Sequence, residues 1–101
     1  MPSSRQLQVV EMVEKDLEFR GINKDHLGMY FQELGAKQVT YIFPYIYEAE
    51  GWSGQILSEE EISFTAIFKI NAVKVRFMAE DEDTLVRVIK NYRYKTTRIG
   101  G

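Results

Sequence analysis

Between Ile62 and Phe77 the sequence reads "ISFTAIFKINAVKVRF", with apolar side chains at alternate positions over most of its length. A period of two sends successive side chains to opposite faces of a strand, so this stretch calls for a sheet with one buried face. Ile62, Phe64, Ala66, Phe68 and Ile70 fall on one face of a first strand. Asn71 and Ala72 are expected to form a tight turn, after which Val73, Val75 and Phe77 point inward and Lys74 and Arg76 outward. A further strand is expected upstream in "QVTYIFPYIYEAEGW", where Val39, Tyr41, Phe43, Tyr45 and Tyr47 alternate with Thr40, Ile42 and Ile46. Pro44 has no N–H to give a ladder, which puts this strand at a sheet edge or gives it a bulge. "EAEGWSG" then turns the chain.

Two segments switch to the helical period. In "NKDHLGMYFQELGA" Asn23 is placed to cap, Leu27, Tyr30, Phe31 and Leu34 form an i, i+3, i+4, i+7 stripe, and Gly35 is a stop. Gly28 in the middle costs about 1 kcal/mol against alanine, which implies close packing there. In "EDEDTLVRVIKNYRYK" acids fill the first turn, Leu85, Val88, Ile89 and Tyr92 form the stripe, and bases gather at the end, where a helix dipole favours them. This helix is expected to end at Tyr94 or Lys95. The segment from Leu7 to Phe19 fits both periods, so residues 5–16 stay open between helix and strand, with a strand expected through Leu17 to Arg20. The order strand, helix, three strands, helix defines an α+β class: two layers, an antiparallel sheet of about four strands, and both helices on one face.

A chain of 101 residues with 45% hydrophobic side chains suits one packed domain, residues 1–101, with residues 96–101 as a flexible tail. Cysteine is absent, which excludes disulfides and thiolate chemistry. "MPSSRQLQ" lacks the apolar core of a signal peptide, and no apolar run is long enough for a membrane span. A soluble, cytoplasmic protein without membrane contact is expected.

The net charge of −2 conceals a division: residues 1–83 hold all 15 acids and eight bases, residues 84–101 five bases and no acid. Arg87, Lys90, Arg93, Lys95 and Arg98, with Tyr92 or Tyr94 available for stacking, form the candidate surface for an anionic ligand or partner. Complementing the helix dipole is the plainer reading of the same charges. His26 is the sole histidine, in a first helical turn, where a surface position is expected. The carboxylate runs at 58–61 and 80–83 lack the spacing of a calcium loop and read as solvated turns and helix starts. No catalytic residue, metal or cofactor is expected, and nucleic acid is an improbable partner for an acidic chain. The rings of Tyr41, Phe43, Tyr45 and Tyr47, with Trp52 beyond them, suit core packing or stacking on a planar ligand. The ending Gly100-Gly101 has the bulk-free character that a C-terminal thiocarboxylate needs in order to enter an activating enzyme, or is a frayed end.

The phrases "FRGINKDHLGMYFQELGA", "FKINAVKVRFMAEDEDT" and the ending "RIGG" resemble the C-terminal domain of proteins related to the small subunit of molybdopterin synthase (MoaD-related), from about Phe19 to Gly101. The resemblance implies a fold of the TATA-binding-protein type and a setting in molybdenum or tungsten cofactor assembly. It further implies a partner from that pathway, such as a ubiquitin-like sulfur-carrier domain. A helix before Gly100 departs from the carrier's last strand. Three readings follow: a non-catalytic accessory domain that docks a protein partner or an anionic pterin-type ligand; a sulfur carrier using Gly100 and Gly101; or a domain that forms a homodimer through its sheet edge or aromatic face.

Overall fold

The computed structural model of the chain describes residues 11–100, with side chains as far as Thr97. Val73, Val75 and Phe77 are wholly buried in it while Lys74 is exposed, as the alternation requires. Among the described residues the order is β1 (Val13–Arg20), α1 (Lys24–Glu33), β2 (Lys37–Gln38), β3 (Tyr45–Ala49), β4 (Trp52–Ser63), β5 (Lys69–Ala79) and α2 (Glu82–Gly100). The strands form one antiparallel sheet in the order β1-β5-β4-β3-β2. Leu27, Tyr30 and Phe31 of α1 and Leu85, Val88 and Tyr92 of α2 share one core with Phe19, Tyr47, Trp52, Ile56, Val75 and Phe77 of the sheet. Both helices therefore cover the same face, and the expected two-layer α+β architecture is present with one short strand more than anticipated.

Several local expectations are corrected. The hairpin turns at residues 64–68, where the Phe64 N–H donates to the Phe68 carbonyl at 2.8 Å and the Thr65 hydroxyl accepts from the N–H groups of Ile67 and Phe68. Asn71 and Ala72 are strand residues of β5. The expected strand from Gln38 to Tyr47 is broken between β2 and β3. Thr40 closes the intervening loop, its hydroxyl donating to the Pro44 carbonyl at 2.7 Å and accepting the Ile46 N–H at 2.9 Å. Tyr41 and Phe43 lie in this loop and are exposed, so the four rings do not share a face. Trp52, just beyond the turn, opens β4, since the reversal is made by Gly51 at φ 86°. Residues 13–16 take the strand reading; residues 5–10 lie outside the described residues. α2 runs on to Gly100, past the expected stop at Tyr94 or Lys95. Thr96 and Thr97 fit its last turns by donating their hydroxyls to the carbonyls of Arg93 and Tyr94 at 2.8 and 2.9 Å. Gly101 lies outside the description.

The run "SEEE" belongs to β4 and is not a turn. A register shift between Ile56 and Ser58 inserts Leu57 as an extra residue. One extra residue exchanges the faces of all that follow. Glu59, paired with inward-facing Val73, is thereby turned toward the helices. Its Oε2 accepts the first N–H of α1, from Lys24, at 3.2 Å and the Asn71 side-chain N–H at 3.0 Å. Asn71 also donates to the Ile22 carbonyl at 2.9 Å. A bulge in one strand thus fixes where the first helix begins.

Two tests follow from this packing. A Cβ on Gly54 would run into the ring of Phe31, which is completely buried. Gly54→Ala should therefore lower the unfolding free energy by about 1–3 kcal/mol, the usual cost of overpacking, in urea denaturation. Asp16 and Asp81 both titrate below 3.8, Asp16 through its bond to Arg76 and Asp81 through the Thr84 N–H that it caps at 2.8 Å. Depressed carboxylates add stability that is complete above 3.8 and lost as the pH falls through their lowered pKa values. Thermal unfolding between pH 5 and pH 2 should show a smaller loss for Asp81→Asn, which caps without titrating, than for the wild type.

Candidate functional site

The charge division of the sequence becomes a shape once α2 lies against β1. Val86, Ile89, Lys90 and Arg93 follow the i, i+3, i+4, i+7 spacing and form one flank of α2. Opposite them stand Lys15 and Leu17 of β1, and the two sides enclose an open groove of about 460 Å³. Its floor is apolar, and Val86 is 57% exposed there although nothing in the chain requires an aliphatic side chain in water. Lys15, Lys90 and Arg93 frame it. None of these three cations has an ion-pair partner among the described residues, whereas Arg76, Lys24 and Lys95 all do. Among the described residues β1 is also the outer strand of the sheet, so one side of the groove ends in a strand edge with no neighbour among them.

The candidate cations are therefore divided. Lys90 and Arg93 are brought together. Arg87 lies on the other flank of α2, beside Leu34, Trp52 and Asn91. Lys95 is held by Glu33, with Nζ 2.8 Å from Oε1. The Arg98 side chain, like Gly101, lies outside the description, and Gly100 closes α2. Tyr94 is exposed, but Tyr92 is fully buried, with its hydroxyl donating to the Leu27 carbonyl at 2.6 Å, and so cannot stack on a ligand. Burial raises the Tyr92 phenol far above its ordinary range, so it stays a neutral donor. His26 is exposed at the start of α1, its backbone N–H donating to the Asn23 side chain at 3.0 Å. Sequence reasoning missed Lys15, because its segment fitted two periods, and Glu59, because a bulge leaves no mark in the hydrophobic pattern. The exposed Val86 was legible in principle as an aliphatic residue outside the helical stripe.

Among the described residues no three histidine or carboxylate side chains come together to hold a metal ion, and no helix is long and apolar enough to cross a membrane. The arrangement provides cation-framed apolar surface, which is equipment for binding. The family model for the archaeal MoaD-like protein matches residues 15–101. The chain belongs to the archaeal MoaD-like family, and so to a group related to the small subunit of molybdopterin synthase and to molybdenum cofactor biosynthesis. A search among curated proteins gives no match.

The structural place of Tyr92 can be checked directly. Tyr92→Phe keeps the ring and removes the bond to Leu27, so it should cost about 0.5–1.5 kcal/mol in chemical denaturation. It should leave binding at the groove unchanged.

Proposed function

We propose that the chain is a non-catalytic binding domain of molybdenum or tungsten cofactor assembly that docks a protein partner on the groove between α2 and β1. The observation that carries this reading is the set of three cations, unpaired among the described residues, around exposed Val86 and half-buried Leu17 and Ile89. An unpaired cation at a rim steers and orients an acidic surface, while the apolar floor supplies area to bury. The partner is therefore acidic around an apolar centre, and family membership makes a ubiquitin-like sulfur-carrier domain the first candidate. The open edge of β1 offers that partner a row of backbone groups as well.

Sulfur carriage on Gly101 itself is a weaker reading. A carboxylate that enters an activating enzyme needs extended backbone behind it, and here α2 stays helical through Gly100.

Lys90 and Arg93 are exposed, so Lys90→Glu with Arg93→Glu should leave the unfolding midpoint in place. Affinity for the carrier domain, measured by calorimetry at low salt, should fall about tenfold or more, the equivalent of about 1.4 kcal/mol. The salt dependence of the remaining binding should flatten. Unchanged affinity in the double variant would remove the groove from the interaction.

A further inference from the structure

Tyr47 is 5% exposed, and its hydroxyl, which makes no hydrogen bond among the described residues, is open to the space it borders. Its ring is stacked on Phe31 at 5.2 Å, and the hydroxyl passes beneath α1 at Gly28, where an added Cβ would collide with it. Tyr47 lines a cavity beside α1. This space of about 290 Å³ lies between α1 and the 39–44 loop, away from the groove, and Gln32, Gln38, Tyr41 and Tyr45 share its lining.

The lining specifies a ligand. Tyr41, 72% exposed, offers a ring face, while the half-buried Tyr45 ring carries the Lys24 ammonium at 5.2 Å and packs on Phe43 at 4.7 Å. The Gln38 amide nitrogen is engaged with the Thr40 carbonyl at 3.0 Å, which leaves its oxygen as an acceptor, and Gln32 offers both a donor and an acceptor. Burial holds the Tyr47 phenol above its ordinary range, so it remains a donor at neutral pH. At the rim Lys24 and Asp25 neutralise each other, with Nζ 3.1 Å from Oδ1, and so the site does not call for a charged ligand. The volume is at the small end of ligand pockets, roughly 300–1,000 Å³, and accommodates one fused ring system rather than a dinucleotide.

We infer that this cavity binds a small uncharged fused heteroaromatic ring, stacked against Tyr41 and hydrogen-bonded along its edge by the Tyr47 hydroxyl and the Gln32 and Gln38 amides. The inference is independent of partner docking, since none of its residues lines the groove on α2. Hypoxanthine is a suitable probe, with indole as a control of similar size that lacks its acceptors. In amide NMR titrations of the full chain, hypoxanthine should shift Gly28, Gln32, Gln38 and Tyr41 saturably, and indole should bind at least tenfold more weakly. Tyr47→Phe keeps the stack on Phe31 and should weaken hypoxanthine about five- to tenfold, the worth of one hydrogen bond. Tyr41→Ala should weaken it about tenfold through lost stacking. The Lys90→Glu, Arg93→Glu variant should bind it as the wild type does. No saturable shift at these amides, equal binding of indole, or undiminished affinity in Tyr47→Phe would each overturn the inference.

Discussion

The position of both surfaces depends on one buried side chain. Tyr92 projects from α2 into the centre of the molecule, and its ring meets Phe19 of β1, Tyr30 and Phe31 of α1 and Phe77 of β5 at centroid separations of 4.5–6.0 Å. Edge-to-face and tilted arrangements of this kind fix direction as well as distance, because each ring presents its positive rim to a neighbour's negative face. The hydroxyl adds a bond to a carbonyl of the other helix. One residue thus sets the two helices against each other and both against the sheet. The groove on α2 and the cavity under α1 lie on opposite flanks of this cluster.

The legible part of the fold was the part written in periodicity. Leu27, Tyr30 and Phe31 on one helix and Leu85, Val88 and Tyr92 on the other were found by spacing, and all are core. Val73, Val75 and Phe77 were found by alternation and are buried as well. What escaped were features that one residue decides. Thr40 replaces ladder bonds with a looped network, so an unbroken alternation from Val39 to Tyr47 became two short strands and a loop. Thr65 did the same for the hairpin, moving the turn from Asn71 to the middle of an alternating run. For the candidate site, the charge of the last helix was plain in the sequence, but helical angle divides its cations: Lys90 and Arg93 face the groove, Arg87 and Lys95 face elsewhere. Lys15 comes from a distant strand, and no local pattern predicts that meeting.

The outer strand of the sheet illustrates how one set of charges serves two ends. An eight-residue edge with open backbone groups is a template for unwanted pairing, and charged side chains are the usual protection. β1 carries Glu14, Asp16 and Glu18 on the solvent face, where Asp16 forms a two-point bond with Arg76 at 2.8 and 3.0 Å. Lys15 alternates to the helical face. Copies of the chain that met edge to edge would bring like charges together, while an acidic partner entering the groove meets Lys15, Lys90 and Arg93. Protection from self and selection of a partner are thus assigned to opposite faces of the same strand.

Beyond Ala72, the last β5 residue paired with β1, and beyond Ile56, the last β4 residue paired with β3, the β4–β5 hairpin continues as a ribbon two strands wide. Its end carries Phe64 and Phe68, stacked at 5.6 Å, with Ile67 almost fully exposed. Among the described residues no third strand flanks the end of this ribbon. Its opening free energy is consequently decoupled from that of the globule. This geometry implies two levels of cooperativity: amide hydrogens of the body should exchange only through large-scale unfolding, and those of the arm through local opening that leaves the body intact. The Asn71 and Glu59 side chains mark the boundary between the two, since they bind the base of the arm to the start of α1.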